Sequence, residues 1–386
     1  GMDFGAVFVA TCIAAAAGSL IMGLWANYPI AQAPGMGQNA FFTYGIVLGL
    51  GHTWEAALGA VFVSGVIFVV LSVLPVREWL INAIPRNLKL GISAGIGLFL
   101  GFIALKNAGV VVANPATFMS FGNMAAPEAI ICLVGFTLIV SFTARGVAGA
   151  VIIGMLVATA LGLVAGAAEY KGFISTPPSL APVFFKFDFV AVLDVSMVTV
   201  VLTMLLVDVF DTAGTLVGVS NQAGLTDSEG KLPRLGKALL SDSTATVIGS
   251  IAGTSSTTSY IESAAGVESG GRTGLVAVTT AVLFLLCLFF APLAQTIPAF
   301  ATSAALLFVA CLMTKSLAEL EWNDLTESAP AVVCALGMPL SFSIADGIGL
   351  GFITYVAIKL MSGRARECPS AVYVIGVIFL GKFLFL

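Results

Sequence analysis

From Phe4 to Trp54 the chain contains no Asp, Glu, Lys or Arg, and none occurs again between Thr273 and Thr314. A helix crosses a bilayer with about 20 apolar residues, so each of these charge-free runs holds more than one crossing. The apolar stretches are continuous and do not alternate with period two, which excludes a β-barrel. Over the whole chain 9% of residues are charged and 59% apolar, with mean hydropathy +1.07. Soluble domains carry charge at about a quarter of their positions, so a soluble enzyme is excluded. A nucleic-acid binder is excluded as well: the net charge is −4 and no Lys/Arg cluster can neutralise a row of phosphates. The chain reads as an all-α polytopic membrane protein.

Candidate spans cover 5–24, 55–74, 88–112, 128–144, 146–167, 193–219, 239–253, 273–291, 299–317, 329–345 and 347–361, with a short apolar run from Ala371 to Leu386. That last run is long enough only for a short span or an interfacial helix. Gly1-Met2-Asp3 lacks the basic residues of a cleavable signal peptide. Arg77, Arg86, Lys89, Arg145, Lys231, Arg234, Lys237, Arg364 and Arg366 mark connections that fall on one side if spans alternate, while 113–127 and 292–298 carry no Lys or Arg. The basic side is assigned to the cytoplasm of a plasma (inner) membrane protein. The cysteines have no paired or metal-like spacing and read as free thiols.

The halves resemble each other. Leu74-Pro75 and Ile84-Pro85 recur as Ala291-Pro292 and Ile297-Pro298, and the turn at Arg145-Gly146 recurs at Asp346-Gly347. Matching loops carry opposite charge character, basic at 75–85 and uncharged at 292–298, as expected when an internal repeat is inverted across the membrane. Chance similarity among apolar helices is the alternative. Aligned this way, the second half opens with a span at 193–219 that the first half lacks, so a first helix is expected to be missing.

Polar groups at helix centres are costly in lipid, about 2.5–3.5 kcal/mol each on insertion scales, and so mark function. Asp208, Asp211, Thr212 and Thr215 recur at helical spacing on one face of an apolar segment. Two carboxylates on such a face repel, and keeping a proton relieves the repulsion, which suits a proton-coupled transporter. The plainer reading places both acids near a cytoplasmic helix end. Thr254 to Ser259 are six consecutive hydroxyl residues, followed by Tyr260-Ile261-Glu262. This pattern suits an extended segment feeding a half-helix with Glu262 in its first turn; a Ser/Thr-rich loop is the alternative. Tyr28 to Phe42 holds Pro29, Pro34, Gly35 and Gly37 beside Gln32, Gln38 and Asn39, breaks any helix, and occupies the matching place in the first half. Paired broken segments point to a midplane binding site. His52, the single histidine, reads as interfacial, Asp194 and Asp242 as helix caps or dipole partners, and Lys106 and Arg272 as snorkelling or loop residues. No GxxxxGK[ST] motif or His/Cys cluster calls for ATP or a metal.

Asn27-Tyr28-Pro29-Ile30 through Pro34-Gly35-Met36-Gly37-Gln38-Asn39-Ala40-Phe41-Phe42, Asp208-Val-Phe-Asp211-Thr212-Ala-Gly214-Thr215, and Gly253-Thr254-Ser255 through Tyr260-Ile261-Glu262-Ser263-Ala264-Ala265-Gly266-Val267 resemble the AzgA-like hypoxanthine/guanine/adenine permeases of the nucleobase–ascorbate transporter (xanthine/uracil permease) superfamily. The resemblance spans essentially the whole chain. It implies a fourteen-helix fold of two inverted seven-helix repeats, with 29–42 and 254–267 as the broken segments. Core-domain parts would be 1–74 and 191–291, and gate-domain parts 75–190 and 292–386, the last including the C-terminal segment. By position it assigns substrate contact to Asn39, Asp208 and Glu262, and proton coupling to Asp211, Asp208 and Glu262. It implies a purine nucleobase substrate, elevator-type symport with H+ as coupling ion, no cofactor, and membrane lipid as surroundings. It also brings in a homodimer, which is usual in related folds. Alternatives are the same fold carrying xanthine, uracil or an anion, and, from other classes, a membrane-embedded enzyme or a channel. Three carboxylates argue against an anion, and one histidine is too few for the usual membrane-enzyme metal sets.

Overall fold

The computed structural model describes residues 1–74, 84–225 and 232–385. In chain order the elements are α1 (Phe4–Ile21), β1 (Gln32–Pro34), α2 (Met36–Ala40), α3 (Trp54–Val73), α4 (Arg86–Asn107), β2 (Val111–Asn114), β3 (Phe118–Phe121), α5 (Pro127–Ala144), α6 (Ala150–Val164), α7 (Phe189–Val192), α8 (Val195–Gln222), α9 (Leu235–Ala252), β4 (Thr257–Ser259), α10 (Ser263–Glu268), α11 (Leu275–Cys287), α12 (Ala291–Thr296), α13 (Ala299–Thr314), α14 (Leu325–Ser341), α15 (Ile344–Met361) and α16 (Ser370–Phe385). Eight of the described helical stretches are long and apolar enough to cross a bilayer, and α6 and α16 are shorter apolar helices. A polytopic helical membrane protein is what the sequence predicts and what the structure has.

Local chemistry sets the helix starts. Asp3 caps α1 by accepting from Ala6 N–H at 2.7 Å, Thr53 caps α3 through Ala56 N–H at 3.2 Å, and Ser343 caps α15 through Asp346 N–H at 3.2 Å. Pro127 opens α5 at a position where its missing N–H costs nothing. The 88–112 span proves shorter than its apolar run. α4 stops at Asn107, and Val111 and Val112, expected within the span, instead join a hairpin with β3 that extends into the expected 113–127 connection. The basic connection expected at 75–85 lies mostly outside the described residues, as does Lys231.

Two packing groups emerge. α4, α13, α14 and α15 pack together, with α5 and α6 against α13; α1, α3, α9 and α11 pack together around the strands β1 and β4, with α8 against α3. Glycine permits the closest crossings. A Cβ at Gly91 would come within 2.6 Å of the Ala331 carbonyl oxygen, and one at Gly95 within 3.0 Å of the Ala335 Cα, so α4 and α14 meet nearly backbone to backbone.

Candidate functional site

The two broken segments lie side by side. β1 runs antiparallel to β4, with Gln32 opposite Ser259, Ala33 opposite Thr258 and Pro34 opposite Thr257. Tyr260 N–H donates to the Ala31 carbonyl and Gly35 N–H to the Ser256 carbonyl, both at 3.0 Å. Alternation along an antiparallel pair then turns the backbone groups of Gln32 and Thr257 away from the partner strand. Helix side chains meet them. The Ser19 hydroxyl of α1 accepts from Gln32 N–H at 2.8 Å and donates to Gln32 C=O at 3.1 Å, and the Thr246 hydroxyl of α9 lies 2.9 Å from Thr257 C=O. The outward backbone groups of Gln32 and the Thr257 carbonyl are thus met by helix side chains and not by solvent, as lipid-depth backbone requires.

Asp208 sits near the middle of α8 and is fully buried, which removes the reading that placed it at a helix end. Its Oδ1 accepts from the Gln38 amide at 3.1 Å, and its Oδ2 lies 3.0 Å from the Thr246 hydroxyl. Gln38 belongs to α2, so the acidic helix is tied directly to the first broken segment.

Asp242, read from sequence as a cap, is two turns inside α9 and equally buried. It accepts from Ser259 Oγ at 2.7 Å, Gln32 Nε2 at 3.1 Å and Thr212 Oγ1 at 2.6 Å, and Thr212 in turn lies 2.9 Å from the Thr258 hydroxyl. This residue is the main omission of the sequence reading. The available signal was the recurrence of Asp242, Thr246 and Ser250 at four-residue spacing, a polar stripe on a helix in lipid.

The expected stripe on α8 divides. Asp208, Thr212 and Thr215 are buried, whereas Asp211 is exposed along an edge with Gly214 and Gly218, and a Cβ at Gly214 would meet nothing within 4 Å. Glu262 is exposed too. It precedes α10 instead of lying in its first turn, and it lines a cavity of about 270 Å³ with Gln32, Tyr260, Ser263, Thr280 and Phe284. Asp211 and Glu262 are close enough to interact electrostatically. Asn39 is exposed near the C-terminal end of α2, and its Oδ1 accepts from the Ser255 hydroxyl. The four expected residues therefore share one region in two environments. Asp208, with Asp242, is sealed behind amides and hydroxyls, while Asp211, Glu262 and Asn39 face open space.

Two residues read as snorkelling or loop have defined partners. Lys106 Nζ stands 4.6 Å over the Phe342 ring. Arg272 donates to the Val267 and Gly271 carbonyls and so caps the C-terminal end of α10.

The Xan_ur_permease model, described as a permease family, matches residues 2–350. The chain belongs to this permease family. Among its relatives, a putative permease of Methanocaldococcus jannaschii is 49% identical over 387 residues, covering all of this chain and 89% of the relative. The adenine permease AdeP of Escherichia coli is 46% identical, covering all of this chain and 87% of the relative, and the guanine/hypoxanthine permease PbuG of Bacillus subtilis is 45% identical, covering all of this chain and 88% of the relative. Among solved structures, the transmembrane domain of the cyanobacterial bicarbonate transporter BicA superposes with a TM-score of 0.64 at 16% identity, covering 89% of this chain and 88% of that one. Murine Slc26a9, an anion transporter, superposes with a TM-score of 0.63 at 12% identity, covering 94% of this chain and 66% of that one. This permease is accordingly a multi-pass membrane transporter of the family its motifs resemble, and not an enzyme.

Proposed function

We propose that this permease imports purine nucleobases by proton symport. The observation that carries the reading is the buried junction of β1, β4 and α8, where carboxylates stand among amides and hydroxyls at the meeting of two broken segments. A purine base is neutral and planar, with ring N–H donors and ring-nitrogen acceptors. A carboxylate accepts N–H bonds and an amide both donates and accepts, so Glu262, Asp208 and Asn39 offer a complementary set. Gln38 donates to Asp208 Oδ1 and Asp208 is buried, so a purine N–H reaches that oxygen only by displacing the Gln38 amide. Relatives named as adenine and guanine/hypoxanthine permeases support the substrate class.

Because the substrate is neutral, uphill uptake draws on a cation. Asp208, Asp211 and Glu262 are the proposed proton carriers, with the open pair Asp211 and Glu262 receiving the proton first. The two packing groups support an elevator, in which residues 1–74 and 191–291 move as a core against a gate of 75–190 and 292–386. An anion substrate, as in the structural neighbours, is disfavoured by the acidic lining. The test is uptake of radiolabelled hypoxanthine, guanine and adenine in purine-transport-deficient cells, with and without a protonophore. Asp208→Asn and Glu262→Gln are expected to abolish uptake at unchanged membrane expression. Unchanged substrate affinity in both variants would remove these residues from the site.

A further inference from the structure

Thr246 has one hydroxyl hydrogen and two oxygen neighbours, Asp208 Oδ2 at 3.0 Å and the Thr257 carbonyl at 2.9 Å. An ionised Asp208 is an acceptor only, as a carbonyl always is, so with Asp208 charged one of the two bonds goes unmade. A proton on Asp208 Oδ2 resolves the conflict: the carboxylic acid donates to Thr246 Oγ1, and Thr246 donates to Thr257. No strand neighbour substitutes for Thr246 at that carbonyl, because Thr257 faces Pro34 in the pair, with its backbone groups turned outward.

We propose that Thr246 is a positioning residue that transmits the protonation of Asp208 to β4. With the proton present, the chain Asp208–Thr246–Thr257 holds β4 against α9. When the proton leaves, Thr246 turns its hydrogen to the carboxylate, and Thr257 C=O loses its donor at the base of the segment that carries Glu262. Of the charged groups on the helices around Asp208, Asp242 of α9 and Asp211 of α8 act on it, both acidic. In this relay the coupled cation is taken to be the proton of the symport reading, passed with no change in covalent bonding other than O–H.

The proposal rests on the proton-symport reading, and one assay separates the two. Purified permease in liposomes is loaded with a pH-sensitive dye, and adenine-driven proton uptake is compared with adenine counterflow, which needs no net proton movement. Thr246→Val is expected to lower proton uptake at least about tenfold more than counterflow, the worth of one hydrogen bond to a charged group. Thr246→Ser is expected to keep the wild-type ratio. An unchanged ratio in Thr246→Val overturns the relay. Equal loss of both activities in Thr246→Val, with Thr246→Ser intact, also overturns it, because the hydroxyl would then be structural only. If the wild type itself moves adenine without protons, the symport reading fails, and the relay with it.

Discussion

Asp208 and Asp242 are buried carboxylates whose hydrogen-bond donors are neutral amides and hydroxyls, while the described ion pairs all lie elsewhere in the chain. Such a site is held by donors that can be removed one at a time. Gln32→Leu takes the Nε2 donor from Asp242 and leaves a buried acceptor short by one bond, which costs roughly 1–3 kcal/mol; thermal unfolding of the purified protein should show the lowered midpoint. Away from the bilayer core, Asp324 caps α14 through Thr326 N–H at 2.9 Å and meets Arg364 at 2.7 Å. Thr326 and Arg364 hold its carboxyl down at about 2. The folded value lies below the ordinary carboxylate value of about 3.9, so this contribution is present above about pH 4 and is lost as pH falls toward 2. Asp324→Asn should therefore lower the unfolding midpoint at pH 7, and the gap from wild type should narrow below pH 4.

At the scale of elements, the α15 end is fixed by a buried cation. Lys359 is fully buried, 2.8 Å from Glu327 and 2.9 Å from Glu367, and it donates to Thr326 at 3.0 Å, joining the start of α14 to the connection that leads into α16. Lys359→Met breaks this set and should cost roughly 3 kcal/mol, the low end for a broken buried pair because Glu367 is half exposed; detergent-solubilised thermal melts check it. The apolar pattern made the long helices legible, since a continuous apolar run has few other solutions in lipid. It did not show where α4 ends, because Val110, Val111 and Val112 are as apolar in a hairpin as in a helix. Nor did it show β1 and β4 as paired strands. Three residues carry no period, and only the proline, glycine and hydroxyl content marked the segments as broken. Asp242 resembles a cap when the span is taken to start at 239, whereas α9 begins at Leu235 and carries Asp242 two turns inside.

Across the whole molecule, the β1–β4 pair joins residues far apart in the chain and is the point on which the proposed site depends. Ala33 and Thr258 face each other in a hydrogen-bonded register, for which a Cα separation of about 5.5 Å is usual and lies within disulfide range. In a background without the native cysteines, Ala33→Cys with Thr258→Cys should cross-link on oxidation. Failure of this pair to close would separate the two broken segments. The acids of α8 and the broken segments could be found from sequence because lipid makes each polar group conspicuous. Their division into a sealed pair and an open pair could not, because Asp208 and Asp211 differ only in which edge of one helix the neighbours cover. Proton-coupled purine import is measured directly as accumulation of radiolabelled adenine, guanine and hypoxanthine by the purified permease in liposomes under an inward proton gradient. Proton-coupled purine import predicts accumulation of at least one of the three by the wild type and none by Asp208→Asn. Wild-type vesicles that accumulate no purine under that gradient, while remaining folded, would contradict it.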